Sequence, residues 1–564
     1  MKIPADDADC EQFYREVTDI CFASVQKRKT DYDLMKNYFM FGCPPEEPAT
    51  PYNKIYPHID TLTAFLFSAD STRFGCHLPA SVPDDEWAKV PDANKAINEE
   101  WIDSNGDMIF GQALTWSMVK NSIIIKTIVR DGKPVPYIIE PECFGVYRED
   151  LNYLDRQEAM AHRYYISRSQ LESDLAAHPQ RDTILAQLGT RPIRAADSMP
   201  DSLRRIIVTN SSGTPPISPG GTIRGNGSYN NDARVDYTPQ VNADVVEMVE
   251  LWIWDDALAD YRVVTRADDA VTIYDRQNFF LPTVRDHENT NVESSGEHPF
   301  THVCPNPMHG YFWGTSEVSR LVGLQQFRNE RIAQIRDLLA KQVNPPTALF
   351  GMFGAIDELD FALNKAGGVL PSQDPMAKID RYKPEIPSDI WTEIHMIDEM
   401  FSEASGLQNL LMGKGESGVR SGKQTSELAR LGSSRIKKRA LNIEDSLSSL
   451  ATKYFKVLRR YNANKYNMDD VNKTPFILAQ MPSDTQVMVD AHSNSPLFVE
   501  DQKNLAQQLF EAHAIDRATL IKMVAPPMME VMLRNLKKIE ANEAKKAKEQ
   551  MAAEAAGKAT TQKK

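Results

Sequence analysis

Three things are scarce in this sequence, and each scarcity disfavours a class of protein. Only six of the 564 residues are cysteine and none forms a CxxC pair, so neither a disulfide framework nor a zinc ribbon is indicated. No apolar run approaches the roughly 18 residues that a membrane-spanning helix needs. Lys and Arg number 64 against 78 Asp and Glu, and the net charge of -14 argues against a protein that coats DNA non-specifically.

The composition nevertheless predicts well-packed cores. Hydrophobic residues make up 41% of the chain and charged residues 25%, and the length suits several domains. The first residues lack an apolar signal segment, so we expect a protein that is cytoplasmic when made. We expect the cysteines to be buried or free thiols in that reducing compartment. The acidic balance is also compatible with a wall past which DNA slides without sticking.

No catalytic, cofactor or metal site is predicted. The eleven histidines are dispersed, and neither HExxH nor GxSxG occurs. The one histidine pair at a spacing of four, His298 and His302, is separated by Pro299 and has no third ligand in view. A shared helix face is therefore disfavoured, and we interpret both histidines as structural.

A glycine-rich segment at 413–423 invites comparison with a phosphate-binding loop. A Walker A motif would place glycine at 417 and Ser or Thr after Lys423, but Ser417 and Gln424 stand there. The preceding segment also favours helix over strand. An ATP site is therefore disfavoured, although a nucleotide-dependent DNA packaging or repair enzyme remains the alternative hypothesis from the enzyme class.

The same segment, 412–423, is better interpreted as an arm between two helices. Lys414, Arg420 and Lys423 give it positive charge among small residues, which suits contact with a phosphate backbone without reading bases. An ordinary solvated loop between helices is an equally good interpretation from composition alone.

Hydrophobic spacing predicts a mixed α+β chain rich in helix. A hairpin is predicted around the turn Asp131-Gly132, and 210–232 is expected to be an irregular loop rich in Ser, Gly, Asn and Pro. The predicted helices are 1–45, 52–69, 93–121, 168–176, 316–343, 388–411 and 424–462, and the predicted strands include 245–254, 261–265 and 271–274.

The first of the long C-terminal helices has clear boundaries. Thr315 or Ser316 can cap its start with Glu317 in the first turn, and Pro345-Pro346 must end it. The basic run Arg435–Arg439 on the last long helix is interpreted as a solvated face or as inter-subunit salt bridges.

The order of elements from 299 to 461 resembles the portal, or head–tail connector, family of tailed bacteriophages. The turn Pro305–Gly310 and the run Phe312–Val318 open a long helix, followed by a short mixed insert, a second helix, a glycine-rich loop and a very long helix. Asn53–Asp60 and Ser122–Glu140 resemble the early helix and the wing strands of portals. The resemblance lies in this order of elements and in no single residue.

The resemblance implies a portal-like architecture and gives each segment a role. These are a wing at 1–315, a first stem helix at 316–343, a clip at 344–387, a second stem helix at 388–411, a tunnel loop at 412–423, a long wing helix and strand at 424–498, crown-like helices at 499–540 and a disordered tail at 541–564. The tunnel loop would carry Lys414, Arg420 and Lys423 into a central channel.

The resemblance also implies function and partners. It implies a homo-oligomeric ring, usually of twelve copies, at one capsid vertex of the virion, through which double-stranded DNA is packaged and later ejected. Its partners would be the terminase large subunit, tail adaptor or connector proteins, and capsid and scaffold proteins, with no membrane. The alternative outside the enzyme class is another structural virion protein, such as an ejection or tail component.

Overall fold

The computed structural model supports a description of much of the chain, with gaps. The residues described are 1, 3–4, 7–44, 52–67, 72–79, 82–87, 89–188, 191–192, 244–268, 271–281, 296–343, 347–350, 376, 378–381, 387, 389–405, 434–461, 478–482, 485–489, 505–524, 536 and 539.

Helices and strands are both abundant, as the α+β prediction requires. The helices are α1 Asp7–Phe22, α2 Val25–Phe41, α3 Ile55–Leu66, α4 Asp84–Trp87, α5 Val90–Asp103, α6 Gly106–Val119, α7 Arg168–Asp174, α8 Arg181–Gln187, α9 Val322–Val343, α10 Asp389–Ser405, α11 Ser434–Tyr461 and α12 Arg517–Val524. A further helical segment covers 505–511.

The strands are all paired antiparallel. They are β1 Phe74–His77, β2 Ile123–Arg130, β3 Lys133–Ile139, β4 Phe144–Val146, β5 Ala159–Ser167, β6 Arg191–Pro192, β7 Asp244–Asp255, β8 Asp260–Ala267, β9 Val271–Gln277, β10 Phe300–Val303, β11 Thr347–Phe350, β12 Lys378–Arg381 and β13 Gln486–Val489.

The strands form one large sheet and three small ones. The six-stranded sheet has the order β4-β5-β7-β8-β9, with β6 also paired to β7, and a three-stranded sheet has the order β10-β2-β3. β1 pairs with β13 and β11 with β12. Pro134 and Pro136 lie on β3, at the edge of its sheet, where a strand tolerates residues that cannot donate a hydrogen bond.

The main core surrounds the long helix α11. Helices α3, α5 and α6 and the β1–β13 pair contribute to it, and α11 supplies Ile443, Leu447, Leu450 and Tyr454. Their spacing of four, three and four residues places them on one face of the helix. Val457 continues the stripe into a second core between the sheets, which also contains Trp252, Phe300 and Trp313.

Side chains of α11 close the exposed edge of β13. The N–H of Val487 donates to Thr452 Oγ1 and the N–H of Val489 donates to Ser448 Oγ, both at 3.2 Å. An unpaired strand edge is a template for unwanted pairing with other chains. Here hydroxyl groups of the helix take the place of a neighbouring strand.

Two of the predicted helices are wrong, because each is divided into two: the segment 1–45 contains α1 and α2, which are separated at Ala23 and Ser24. The predicted helix at 93–121 is two helices, α5 and α6, which are broken at Ser104 and Asn105. Asn105 adopts the left-handed conformation with φ +54, and a Cβ on Gly106 would lie 2.4 Å from the ring of Trp101. The chain turns here because Asn tolerates the left-handed backbone at 105 and because Gly106 lacks the Cβ that would overlap the Trp101 ring.

Other boundaries also differ from the prediction. The first long C-terminal helix starts with a 3-10 turn at Val318–Arg320, and the α-helix begins only at Val322. It ends at Val343, directly before the predicted stop. The hairpin at Asp131-Gly132 is confirmed, and both turn residues have positive φ as a tight hairpin requires.

Several predicted segments lie outside the described residues. These are 210–232, 412–423 and 541–564, most of 344–387 and about half of 499–540. Within the described part, all six cysteines are buried and unbridged. Among the helices described, none combines the length and the apolar character that crossing a bilayer requires.

We expect Gly106→Ala to destabilise the fold by about 1–3 kcal/mol, because its methyl group overlaps the buried Trp101 ring. Chemical denaturation measures the effect. Gly323→Ala in α9 is the matched control, since a Cβ there meets nothing within 4 Å and alanine favours helix over glycine. Equal stability of the two variants would contradict this account of the α5–α6 turn.

Candidate functional site: an ionic junction of three helices

The residues predicted to contact DNA, Lys414, Arg420 and Lys423, lie outside the described residues. The structure does describe the helix on each side, since α10 ends at Ser405 and α11 begins at Ser434. Both of these helices are ion-paired to α9 or to the turn before it. This junction is the candidate functional site, because it positions the helices on either side of the predicted DNA-contacting segment.

A glycine turn leads the chain towards α9. Gly314 has φ +66, and a Cβ there would lie 2.6 Å from the carbonyl oxygen of Asn306, so only glycine allows this close approach. Ser316 Oγ then donates to the carbonyl of Met118 and accepts the N–H of Val318, both at 3.0 Å. Gly314 and Ser316, both in the run Phe312–Val318, therefore serve packing and capping.

Glu317 and Arg439 form the most deeply buried ion pair of the junction. An oxygen of Glu317 lies 2.9 Å from Arg439 Nη2, and the two side chains are 0% and 8% exposed. Asn306 bridges them, since its Oδ1 accepts from Arg439 Nε at 3.0 Å and its amide donates to Glu317 at 3.3 Å. The start of α11 is thus tied to the turn that begins α9.

A second ionic contact joins α10 to α9 and to the start of α3. Asp398 of α10 accepts from Arg328 Nε at 3.1 Å and from Lys54 Nζ at 3.0 Å. Unlike the first contact, this one is partly open to solvent, since Lys54 is 37% exposed and Asp398 30%. The lysine and arginine beside Asp398 hold the pKa of its carboxyl low, even though desolvation opposes this effect.

Helix α9 also grips the backbone that leads into α3. The carbonyl of Tyr52 accepts from Gln325 Nε2 at 3.3 Å and from Arg328 Nη1 at 3.1 Å. The carbonyl of Gly42 accepts from Asn329 Nδ2 at 2.7 Å, and Gln325 Oε1 accepts the N–H of Lys54 at 3.0 Å. Polar side chains on successive turns of α9 therefore hold this segment in place.

Further along, α9 and α10 contact each other beyond the main core. Arg331 and Glu393 form an ion pair at 3.0 Å, and both side chains are about 30% exposed. Helix α10 carries five Asp and Glu residues and no Lys or Arg, whereas α9 carries four basic and two acidic residues. Opposite charge therefore accompanies the pairing of these two helices.

The structure corrects the interpretation of the basic run 435–439. Arg439 is not solvated, because its ion pair with Glu317 is buried within the chain. This ion pair is therefore not a salt bridge between subunits. The side chain lies on the face of α11 that packs towards the α9 turn. Lys438, in contrast, is exposed. Glu317 is also not exposed, because it is the fully buried partner of Arg439.

The two histidines of the 298–302 pair lie within the fold, where His298 is buried and His302 is half-buried, as their structural interpretation requires. His302 stacks on Phe312 with ring centroids 4.1 Å apart, and its Nε2 has no hydrogen-bond partner. Burial lowers the pKa of His302 to about 3 and that of His298 to about 4. Both side chains are therefore neutral near pH 7.

A cleft of about 970 Å³ contains an Asp–His pair that needs a chemical interpretation. His298 Nε2 donates to Asp155 at 2.9 Å, and its Nδ1 accepts the N–H of Phe300 at 3.2 Å. Both ring nitrogens are thus occupied, so His298 has none free to relay a proton. Lys453 also lines the cleft, and its ammonium group donates to the carbonyl of Phe300. These contacts serve packing between α11 and the sheets.

No metal site is visible in the described ranges, where no group of three or more His, Cys, Asp or Glu side chains is arranged to hold an ion. The functional residues that sequence reasoning missed are Glu317 with Arg439 and Asp398 with Lys54. Each pair is far apart in the sequence, and no local pattern links its members. The contrast in charge between α9 and α10 is a sequence pattern that could have indicated the contact of Asp398 with α9.

We expect Glu317→Gln to lower the free energy of unfolding by about 3 kcal/mol, because it leaves the Arg439 charge buried without its counter-ion. Glu393→Gln is the control, since its partly exposed pair should contribute less than about 1 kcal/mol. Denaturant titration of both variants measures the difference. Equal losses would show that burial does not distinguish the two ion pairs.

Acid should destabilise the protein through its buried histidines. The pKa of His302 is about 3 in the folded chain against an ordinary value of 6.5, so only the unfolded chain binds this proton between those values. Stability is therefore lost as pH falls below about 6.5. We expect His302→Phe to reduce the slope of unfolding free energy against pH by about 1.4 kcal/mol per unit at most. A wild-type slope in the His302→Phe variant would contradict the account.

Comparison with known proteins supplies the family. A family model described as "Phage SU10 portal protein" matches residues 83–493. No curated protein matches the chain. A chain from a solved structure, "Virion of native gene transfer agent (GTA) particle", is similar at 8% identity and a TM-score of 0.40, with 88% of this chain and 94% of that chain covered. Such a TM-score does not establish a common fold, so the assignment depends on the sequence match. That match spans well over half of the chain, from α4 to beyond β13, and on this ground the chain belongs to the phage portal protein family.

Proposed function

We propose that this chain is the subunit of a portal ring, the structural channel at one capsid vertex through which phage DNA is packaged and later ejected. The observation that carries the proposal is the family match over 83–493. The function is that of a conduit, and the motor that consumes ATP is a separate protein. The ring is a homo-oligomer, usually of twelve copies in this family, and it resides in the virion after assembly in the host cytoplasm.

The helices α9 and α10 are the proposed stem. They have 22 and 17 residues, so they extend about 33 Å and about 26 Å. Strands β11 and β12, which lie between them in the chain, belong to the proposed clip at 344–387. The crown-like region is 499–540, and the remainder of the described N-terminal part forms the wing together with α11.

Exposed apolar side chains at the far end of the stem support an assembly of neighbouring copies. Trp391 is 52% exposed, Val343 is 77% exposed, and Leu339 lies nearby on α9. Two helices beyond a core cannot cover such side chains by themselves. Contact with adjacent subunits would remove these surfaces from water, which is favourable in proportion to the apolar area buried.

Charge supports a channel that DNA can traverse. Helix α10 is acidic along its length, and Glu399 and Glu403 lie on its exposed side. A wall of this sign repels the phosphate backbone and prevents tight binding. The proposed tunnel loop, 412–423, supplies the exception, since Lys414, Arg420 and Lys423 would touch the backbone without reading sequence.

The proposed partners follow from these roles. The clip would dock the terminase large subunit during packaging and tail adaptor or connector proteins afterwards, and the wing would face capsid and scaffold proteins. Double-stranded DNA would pass non-specifically. The enzyme alternative loses support from the Asp155–His298 pair, because both nitrogens of His298 are engaged. The glycine-rich segment also fails the Walker A pattern.

Replacing Lys414, Arg420 and Lys423 together by alanine should leave ring assembly intact and lower the amount of DNA packaged or retained. The physical reason is the loss of three phosphate-binding charges from each subunit. Electron microscopy of the rings and nuclease-protected DNA per particle are the measurements.

A charge-conserving triple variant is the control: Lys414→Arg, Arg420→Lys and Lys423→Arg. It should package DNA at close to the wild-type level, because non-specific backbone contact depends mainly on charge. Wild-type packaging by the alanine variant would refute a DNA-contacting role for this loop. Loss of rings would instead assign the loop to assembly.

A further inference from the structure

We propose that Asp398 is a releasable ionic latch, so that helix α10 can shift relative to the wing while the start of α11 stays fixed. The inference rests on the proposed function, in which α10 and α11 flank the DNA-contacting segment. It concerns the described ends of these helices only. Its basis is the contrast between two anchors that both use charge and differ in burial.

The anchor of α11 is closed to solvent. Glu317 is fully buried, Arg439 is nearly so, and Asn306 hydrogen bonds to both. Salt cannot screen a pair from which water and ions are excluded. Separating the two groups would take the nearly buried Arg439 guanidinium away from its carboxylate, which is strongly unfavourable, while Glu317 would keep its ion pair with Arg320. This end of α11 therefore has no low-energy way to move from the α9 turn.

The anchor of α10 is open to solvent. Lys54 and Asp398 are both about one-third exposed, so their attraction is partly screened by water and by salt. The Debye length falls from about 10 Å at 0.1 M salt to about 3 Å at 1 M, so the pair weakens across this range. When separated, Lys54 and Asp398 can both be hydrated, whereas Arg328, the second partner of Asp398, is only 10% exposed and keeps its hydrogen bond to the carbonyl of Tyr52.

The remaining contacts determine which helix moves. Helix α9 holds the backbone before α3 through Gln325, Arg328 and Asn329, and these bonds do not involve α10. Helix α10 inserts Ile397 and Phe401 into the main core beside Asp398. Once the latch opens, these two side chains form a pivot, and the Arg331–Glu393 pair, in which both side chains are about 30% exposed, contacts the preceding part of α10.

Hydrogen–deuterium exchange on assembled wild-type and Asp398→Asn protein tests the latch. We expect amide exchange in peptides covering 389–400 to rise about tenfold in the variant, the effect of losing one charge-assisted hydrogen bond. Peptides covering 434–445 should exchange as in wild type. Raising the salt from 0.1 M to 1 M should accelerate exchange in wild-type α10 and change the variant little.

Glu399→Gln is the matched control, since it removes a neighbouring exposed carboxylate of α10 that makes no ion pair within the described residues. It should leave exchange unchanged. Lys54→Met keeps the Asp398–Arg328 contact and should therefore give a smaller increase in exchange than Asp398→Asn. It provides a second measurement if the Asp398→Asn variant folds poorly. Unchanged exchange in both latch variants, or an equal increase in α11, would overturn the proposal. Electron microscopy of the same samples separates this failure from that of the proposed function, which predicts rings in every case.

Discussion

The buried contact between Glu317 and Arg439 constrains the whole junction, because the Arg439 charge is strongly unfavourable in the interior away from this carboxylate. The contact requires the Gly314 turn, which brings Asn306 close enough to bridge the two side chains. It also sets where α11 begins relative to α9. The long helix that organises the main core is thereby locked to the turn from which the proposed stem departs.

From that fixed point the molecule becomes progressively less buried. Side chains in the first turns of α9 hydrogen bond to the backbone before α3, and Asp398 of α10 is shared with Lys54. At the far end of the two helices, Trp391 of α10 and Val343 of α9 are exposed. The gradient suits a subunit whose wing folds on its own core while its stem is completed by neighbours. Packing, hydrogen bonding and exposed apolar surface thus lead to the same proposal as the family membership.

The sequence predicted elements better than contacts. Local sequence patterns located the hairpin at Asp131-Gly132, the strands β7, β8 and β9 of the large sheet and the long helix α11, whereas β5 was not predicted. The break at Asn105 was missed because it depends on Trp101 packing over Gly106. The site was less accessible still: Glu317 and Arg439 are brought together only by the tertiary fold, and Lys414, Arg420 and Lys423 lie outside the described residues.

The central claim is that the stem is finished by other copies of the same chain. Native mass spectrometry of the purified protein, combined with electron microscopy of the same sample, measures this directly. The account predicts a closed ring whose mass is a whole multiple of 63.6 kDa, with a central opening wide enough for a DNA duplex. A stable single subunit at high concentration, with Trp391 and Val343 still exposed, would contradict it.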